Sequence, residues 1–474
     1  MSQSLFAALQ ALVGARHVQS SEEAAPYLTD KQGRYVGQVI AAVHPASTEE
    51  VAAVVRACVA TDTPVVVQGG NTGLMGGATP DASGRAVLLL LDRMNRVRAV
   101  DTDNDTLTVE AGCILQTVQE VARAAGRLFP LSLGAEGSCT LGGNLGTNAG
   151  GTAVLRYGNT RELTLGLEVV TAQGEIWNGL RGLRKDNTGY DLRDLFIGSE
   201  GTLGIITAAT LKLFPLPKAQ ATALLAFDSL EQAVALLSHA RAGFGASLTA
   251  FELLSAGCLA LLREQFPDGP RPFSNAHQPW FALLELSDNH SESHAREVFE
   301  QVLGEAFEQH LLADALIAEN LVQSQAFWRL RENMSDAQKR AGRNIKHDIS
   351  VPISQVAAFV AHTDALLQQH FPGVRHYTFG HLGDGNLHYN VAHPLGSTVD
   401  AHMAHYTALS QLVHDSAHAH GGSISAEHGI GQRKVNVLGR YKSAVELDLM
   451  RRIKQALDPR NLLNPGKVLE DTRP

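Results

Sequence analysis

An α+β fold is expected for this chain of 474 residues, with a glycine-dense first half and a histidine-dense second half. Three observations predict it. Capped helical stretches alternate with short apolar runs before residue 217. Longer strand-like runs separated by single helices follow it, the pattern of an antiparallel sheet with helices packed on it. Of the 44 glycines, 24 fall between Gly69 and Gly204, and of the 20 histidines, 13 fall between His347 and His428. Glycine at that density marks backbone that turns tightly or approaches a ligand closely. Histidine at that density marks metal binding or proton transfer.

Taken in chain order, Val39 to Val43 reads as an apolar strand. Ser47-Thr48-Glu49-Glu50 reads as a capping box opening a helix over Val51 to Ala60, which Pro64 stops. Val65 to Val67 is a strand that runs directly into Gly69-Gly70-Asn71-Thr72-Gly73. Leu107 to Glu110 alternates as a strand and Ile114 to Ala125 has helical spacing, so the N-terminal half reads as α/β. The pattern breaks at Phe214-Pro215-Leu216-Pro217, where a domain boundary is placed. Beyond it come a strand over Ala223 to Phe227, a helix over Leu230 to Ala242, and strands over Leu248 to Leu253 and Phe281 to Leu286. The prolines between Pro267 and Pro279 mark a surface loop. There is no internal repeat and no low-complexity tract.

Composition narrows the function classes. Hydrophobic residues at 44% and charged residues at 18% allow a sizeable core in a globular chain. The net charge of −9 argues against nucleic acid or an anionic membrane as the main partner. Unbroken apolar runs such as Ala86 to Leu91 fall far short of the roughly 20 residues of a membrane span. Glu22 and Glu23 come early in a region with no basic-then-apolar leader layout. Cys58, Cys113, Cys139 and Cys258 lie far apart with no CxxC. That spacing excludes a local zinc knuckle and suits reduced thiols in a cytoplasmic protein.

Three glycine clusters stand out: QGGNTGLMGG over Gln68 to Gly77, GAEGSCTLGGNLGTNAGG over Gly134 to Gly151, and GSEGTLG over Gly198 to Gly204. Successive N–H groups in such turns form nests for anionic oxygens, as a dinucleotide pyrophosphate requires. The usual nicotinamide fingerprint is missing. Gly243/Gly245, Gly383/Gly385 and Gly429/Gly431 are spaced two apart, but the third glycine is replaced by Leu248, His388 and Lys434. No GxxxxGK[ST] phosphate loop is present either.

The succession of strand, GGNTGL loop, GG-N-AGG loop and GSEGTLGIIT resembles the FAD-binding domain of the vanillyl-alcohol-oxidase-like flavoproteins, over about Gln38 to Pro217. The resemblance implies a two-lobed FAD-binding domain whose loops wrap the pyrophosphate and the flavin edge. It assigns cofactor contacts to Gly69, Gly70, Asn71, Thr72, Gly73 and Leu74 in the first loop. In the second it assigns them to Gly134, Gly137, Thr140, Gly142, Gly143, Asn144, Asn148 and Gly150. Glu200, Gly201, Ile206 and Asn464 complete the set. Some relatives tether flavin through a histidine in the first loop. This chain has Asn71 there and no histidine, so noncovalent FAD is expected.

In the second half, GHLGDGNLHYN spans Gly380 to Asn390. A turn at Gly383-Asp384-Gly385 precedes a strand over Asn386 to Val391, on which His388 and Asn390 share a face. If the turn folds back, His381 joins them, and SAEHG supplies Glu427 and His428. Three protein ligands with an open position would suit a catalytic zinc, although such histidines taken alone equally suit core or surface places. His414 and His418, one helical turn apart, read as a solvated face. Arg331 and Ser335, at i and i+4 on a predicted helix, share a face. An arginine fork suits a carboxylate, although a surface salt bridge with Glu332 or Asp336 explains Arg331 as well. Lys346 opens an alternating strand, with Asp348 and Ser350 on its side.

WRLREN, IKHDISVP, GHLGDGNLH, SAEHGIG and the tail LNPGK together resemble the D-2-hydroxyglutarate dehydrogenase and D-lactate dehydrogenase branch of the family, over about Gln38 to Leu469. The resemblance implies metal ligation by His381, His388 and Glu427, with zinc or another divalent ion. It also implies a general base at His428 and substrate contacts at Arg331, Ser335, Lys346 and Asn390. Ser335 stands where the family has threonine. Glu427 and His428, as neighbours in an extended segment, are expected to project oppositely, one to the metal and one to the substrate. The implied domains are 1–217 for FAD, 218–424 with an antiparallel sheet for substrate, and a short helical segment, 425–474, completing the active site.

The implied reaction is oxidation of a D-2-hydroxy acid to the 2-oxo acid, with hydride passing to FAD. Electrons would then go to a separate acceptor such as an electron-transfer flavoprotein or a quinone-linked carrier. Lys346, usually absent from glycolate-type relatives, points to D-2-hydroxyglutarate. D-Lactate, D-malate and glycolate remain alternatives, as does a flavin subunit of a multi-component glycolate oxidase. A zinc hydrolase without redox chemistry is opposed by the glycine loops. A homodimer is left open.

Overall fold

The computed structural model of the protein describes residues 2–273 and 277–471. The expected surface loop between Pro267 and Pro279 therefore lies partly outside the described residues. The chain divides into two compact units. Met1–Gly150, Gly158–Leu216 and Glu427–Pro474 form the first, and Gly151–Tyr157 with Pro217–Ala426 the second. Among the described residues, no helix is long and apolar enough to cross a membrane.

In the first unit, Ser47 caps a helix over Thr48–Ala60 by accepting from the Glu50 N–H at 3.2 Å. The Glu50 carboxylate reaches one residue further back than a capping box requires, accepting from the Ala46 N–H at 2.7 Å. The helix buries Val51, Val54, Val55 and Cys58, the i, i+3, i+4, i+7 stripe that its spacing demands. It belongs with a four-stranded sheet in which Val39–Val43 and Val65–Gln68 flank Ala86–Leu90 in parallel. Ala86–Leu90 is buried at every position, as a central parallel strand covered on both faces must be.

A second sheet of five strands is wholly antiparallel, in the order Val97–Asp101, Thr106–Glu110, Ile205–Lys212, Thr164–Val170, Ile176–Gly179. The α/β expectation for this half thus holds for one sheet only. The turn over residues 102–105 is too short for the crossover that a parallel pair requires. The C-terminal residues return to the first sheet. The Val65 N–H donates to Leu462 O and the Asn464 N–H to Val65 O, each at 2.8 Å.

The second unit is a seven-stranded antiparallel sheet. Its order is Asp314–Ile317, Ala219–Phe227, Trp280–Asp288, Leu248–Ser255, Arg375–His381, Asn386–Ala392, Asp348–Ser350. Alternate residues serve opposite faces. Ala223, Leu225 and Phe227 join the core made with helices Leu230–Phe244, Glu292–Glu308 and Val356–His370. Leu224, Ala226, Leu254 and Leu283 join the core made with helices Ala256–Gln265, Leu321–Glu332 and Met334–Arg340.

Two expectations are corrected here. Arg331 and Ser335 do not share one helix, because the first helix ends at Glu332 and the next begins at Met334. The junction is Asn333, a poor helix-interior residue whose side chain competes for backbone hydrogen bonds. His414, expected on a solvated face, is buried on the helix Tyr406–Ala419, with its ring 5.6 Å from that of His347. It lies on the stripe of Leu409, Ser410, Val413 and Ala417 that the helix buries, whereas His418 is exposed.

Candidate functional site

In the first unit, the first two glycine loops press against each other. A Cβ on Gly69 would lie 2.1 Å from Thr140 Oγ1, and one on Gly70 2.0 Å from the Ser138 carbonyl oxygen. Only glycine permits that approach. Asn71 holds the left-handed conformation that follows, with φ +51°, and its amide donates to Thr29 O at 2.9 Å. Thr72, Gly73 and Leu74 continue the loop, with open space at Gly73.

Gly134 likewise faces open space, and Gly137 lies beside Gln116. Thr140 opens the short helix Leu141–Thr147, with Gly142 set tightly on Ala111 and Gly143 beside it. Asn148 closes that helix in a left-handed conformation, and Gly150 ends this stretch of the unit. Glu200 and Gly201 form the third loop, and Ile206 lies in the buried strand behind it. The Glu200 carboxylate accepts from the N–H groups of Ile430 at 2.7 Å and Gly431 at 2.8 Å. Burial nonetheless raises its pKa above the ordinary carboxylate value. The Asn464 amide donates to Gly77 O at 2.9 Å and Glu200 O at 2.7 Å.

These residues fit a polar cofactor on an observation of their own. Thr140 Oγ1, Asn144 Nδ2 and Asn464 Oδ1 are buried without a hydrogen-bond partner. Such an atom costs about 1–3 kcal/mol when nothing completes it, and all three belong to positions expected to touch FAD.

In the second unit, register sets Glu252 opposite His381, and Asp348 opposite His388. Directly opposed residues share a sheet face. Glu252, 1% exposed, accepts from His381 Nδ1 at 2.6 Å on one oxygen and from Arg331 Nε at 2.7 Å on the other. Burial would raise the Glu252 pKa, but the charges of His381 and Arg331 outweigh it and hold the carboxyl below its ordinary value. The partner of Arg331 is therefore a buried acid and neither Glu332 nor Asp336. Its guanidinium also lies 5.0 Å from the Phe379 ring centre.

The His388 ring lies 4.9 Å from Phe379 and 5.7 Å from His381. Ligand atoms of Asp348 and His388 lie within 4.8 Å of each other, a combination suited to a divalent ion. His381 is not in that group. The segment after Ser423 runs beside Asp348–Ser350. The Ser423 N–H donates to Ser350 O at 2.8 Å and the Ala426 N–H to Asp348 O at 3.3 Å. Glu427 and His428 follow in sequence, in the first unit. They do not project oppositely. The chain bends at both residues, and the imidazole Nε2 lies 3.6 Å from the carboxylate.

Asn390 is buried and held at both ends, accepting from the His347 N–H at 3.2 Å and donating to Gln338 at 2.9 Å. Ser335 and Lys346 are exposed residues of this unit.

The sequence reading missed Glu252 and Glu285 altogether, and did not weigh Asp348 as a ligand. The signal was there, because Glu252 and Glu285 interrupt the apolar runs Leu248–Leu254 and Phe281–Leu286. Buried acids of this kind are kept only with partners. The Glu285 carboxylate accepts from Trp328 Nε1 at 2.7 Å, and burial pushes its pKa up to about 7. Helix Leu321–Glu332 thus sets Ser324, Trp328 and Arg331 on Thr222, Glu285 and Glu252, each from a neighbouring strand.

Comparison with known proteins follows the same division. A FAD binding domain matches residues 39–179, and the C-terminal domain of FAD linked oxidases matches residues 216–468. A D-2-hydroxyglutarate dehydrogenase of Xanthomonas citri pv. viticola is 40% identical over 446 residues, covering 94% of this chain and 92% of that protein. The mitochondrial D-2-hydroxyglutarate dehydrogenase of Bos taurus is 37% identical over 470 residues, covering 99% of this chain and 84% of that protein. Among solved structures, p-cresol methylhydroxylase matches with a TM-score of 0.78 at 18% identity, over 99% of this chain and 97% of that one. The 4-ethylphenol oxidase of Gulosibacter chungangensis matches at 0.75 and 19%, over 98% and 96%. At such identities the likeness concerns the fold, which is of the vanillyl-alcohol-oxidase type.

Proposed function

This chain belongs to the FAD-linked oxidase family and is an FAD-dependent oxidoreductase; from that premise we propose that it oxidises D-2-hydroxyglutarate to 2-oxoglutarate. The observation that carries the reading is Arg331 on the buried polar face of the second unit. Among the described residues, only its Nε is engaged by a carboxylate, that of Glu252. The remaining fork suits one carboxylate of a substrate. Lys346 takes the second carboxylate, and the Ser335 hydroxyl adds a hydrogen bond. Asn390 supports this arrangement through its bonds to His347 and Gln338.

His381, His388 and Glu427 would hold zinc or another divalent ion, with Asp348 as a further oxygen donor. The loops of the first unit would hold FAD noncovalently, through Thr140, Asn144 and Asn464 among others. When bound, the metal acidifies the substrate hydroxyl as a Lewis acid does, and FAD accepts the hydride. His428 takes the hydroxyl proton as general base. Electrons would then pass to a separate acceptor of the electron-transfer-flavoprotein or quinone-linked kind, and the free, buried cysteines would suit a cytoplasmic setting.

The test is a panel of D- and L-2-hydroxy acids with an artificial dye, before and after chelation. D-2-Hydroxyglutarate should give the highest kcat/KM, and chelation should abolish turnover until metal is restored. Full turnover in verified metal-free protein would remove the metal from the reading. Acid precipitation should release the yellow colour into the supernatant, and a coloured pellet would refute noncovalent FAD.

A further inference from the structure

We propose that Glu252 is a positioning residue that fixes, with its two carboxylate oxygens, both the metal-ligand candidate His381 and the substrate anchor Arg331. The inference rests on the reading of those two residues given above. Its geometry does not. Glu252 stands in the middle of the sheet, on the strand Leu248–Ser255, directly opposite His381 on the next strand. It is 1% exposed, on a strand whose other residues are mostly apolar. One oxygen meets His381 Nδ1 at 2.6 Å, and the other meets Arg331 Nε at 2.7 Å.

Each contact selects one edge of its partner. With the Nδ1 edge turned to Glu252, His381 presents Nε2 as its ligating nitrogen. Histidine ligands are commonly oriented and made more basic by such a carboxylate. With Nε tied to Glu252, the terminal nitrogens of Arg331 are directed elsewhere, in a plane that the carboxylate fixes. A single side chain thereby sets both orientations. A water-filled site with mobile ligands would need no such residue. Burying a carboxylate is costly unless charged or hydrogen-bonding partners meet it, and here both oxygens are met.

Glu285 supplies the control. It is also a buried acid, on the adjacent strand Trp280–Asp288, and bonds Trp328 of the helix that carries Arg331. It touches neither His381 nor Arg331. A general loss of packing on this face would follow from disturbing either acid, whereas positioning would be lost only with Glu252.

The experiment compares Glu252→Gln, Glu252→Asp and Glu285→Gln in the full-length FAD-loaded protein. Zinc affinity is read by competition with a chromophoric chelator, and affinity for 2-oxoglutarate by perturbation of the flavin spectrum. Glu252→Gln should weaken zinc by about 10- to 100-fold, the usual consequence of losing an outer partner of a metal ligand. It should weaken 2-oxoglutarate by about tenfold or more, as for loss of a charge-assisted contact. Glu252→Asp should recover part of both, and Glu285→Gln should change neither.

Undiminished zinc and 2-oxoglutarate affinity in Glu252→Gln, or equal losses in Glu285→Gln, would overturn the proposal. Failure of the underlying reading is distinguishable. His381→Ala and Arg331→Ala would then leave zinc and 2-oxoglutarate affinity, respectively, as in the unaltered protein, and the proposal would fall with it.

Discussion

In the first unit, the groups expected to meet a ligand are incomplete: Thr140 Oγ1, Asn144 Nδ2 and Asn464 Oδ1 are buried and unpartnered. In the second, they are already bound to one another, with Glu252 holding His381 and Arg331, and Asn390 held by His347 and Gln338. The exceptions there, among the described residues, are Gln338 Nε2 beside Asn390, Asn344 Oδ1 and His393 Nδ1, all buried and unpartnered. Loops that press backbone on backbone leave polar atoms for a large ligand to complete. A sheet face whose side chains satisfy each other is oriented before any ligand arrives, which favours rate over affinity. Loss of one of these three groups from the first unit should therefore change cofactor retention. Loss from the second should change turnover, substrate choice or the affinity for metal and substrate.

The largest expected effect separates chemistry from retention. His428→Ala should keep FAD and metal but slow flavin reduction by about 10² to 10⁴-fold, the range for loss of a general base. Stopped-flow reduction at the original rate would show that the base is elsewhere.

Next come the two cations of the second unit. Arg331→Ala should impair every 2-hydroxy acid tested. It should also destabilise the protein by about 3–5 kcal/mol, because Glu252 stays buried with one partner removed. Lys346 is exposed, so Lys346→Met should cost less stability than Arg331→Ala. It should lower kcat/KM for D-2-hydroxyglutarate by roughly tenfold to a hundredfold more than for D-lactate, the worth of one charge-assisted contact. An unchanged ratio between the two acids would place the second carboxylate elsewhere and favour D-lactate as substrate.

The contrast between the units also explains what could be read from the sequence. The glycine loops were legible because backbone approach demands a particular residue at a particular place, as Gly69 and Gly70 show against Thr140 and Ser138. The strands Val39–Val43 and Leu248–Ser255 were legible from local apolar pattern. Glu252 was not, since its partners stand 79 and 129 residues away and only strand register brings them together. The break at Asn333 escaped notice because the helical period carries on across it. The bend at Glu427 and His428 escaped because i, i+1 alternation holds only in an extended chain.

A smaller effect lies outside both ligand sets. Glu285 titrates at about 7 in the folded chain against an ordinary 4.5. The folded state therefore holds a proton that the unfolded state has released, and stability falls as pH rises from 4.5 to about 7. Glu285→Gln keeps an acceptor for Trp328 and removes the titration. The variant should gain on the original protein across that window by at most about 3 kcal/mol, as read from denaturant midpoints at pH 5 and pH 8. Equal gains at both values would show that Glu285 is ionised throughout.

The smallest expected effect probes the incomplete loops directly. Thr140→Val replaces an unpartnered hydroxyl with a methyl group of similar size. In the FAD-free protein, the change removes a buried polar atom that nothing satisfies, and stability should rise by about 1 kcal/mol. In the FAD-loaded protein, the same change deletes a hydrogen bond to the cofactor, and FAD affinity should fall by roughly three- to tenfold. The two measurements should move in opposite directions if the hydroxyl left unsatisfied without FAD is one that FAD completes. If FAD affinity stayed the same while the FAD-free protein gained stability, Thr140 Oγ1 would be a packing defect. The contrast between an incomplete first unit and a self-satisfied second would then rest on Asn144 and Asn464 alone.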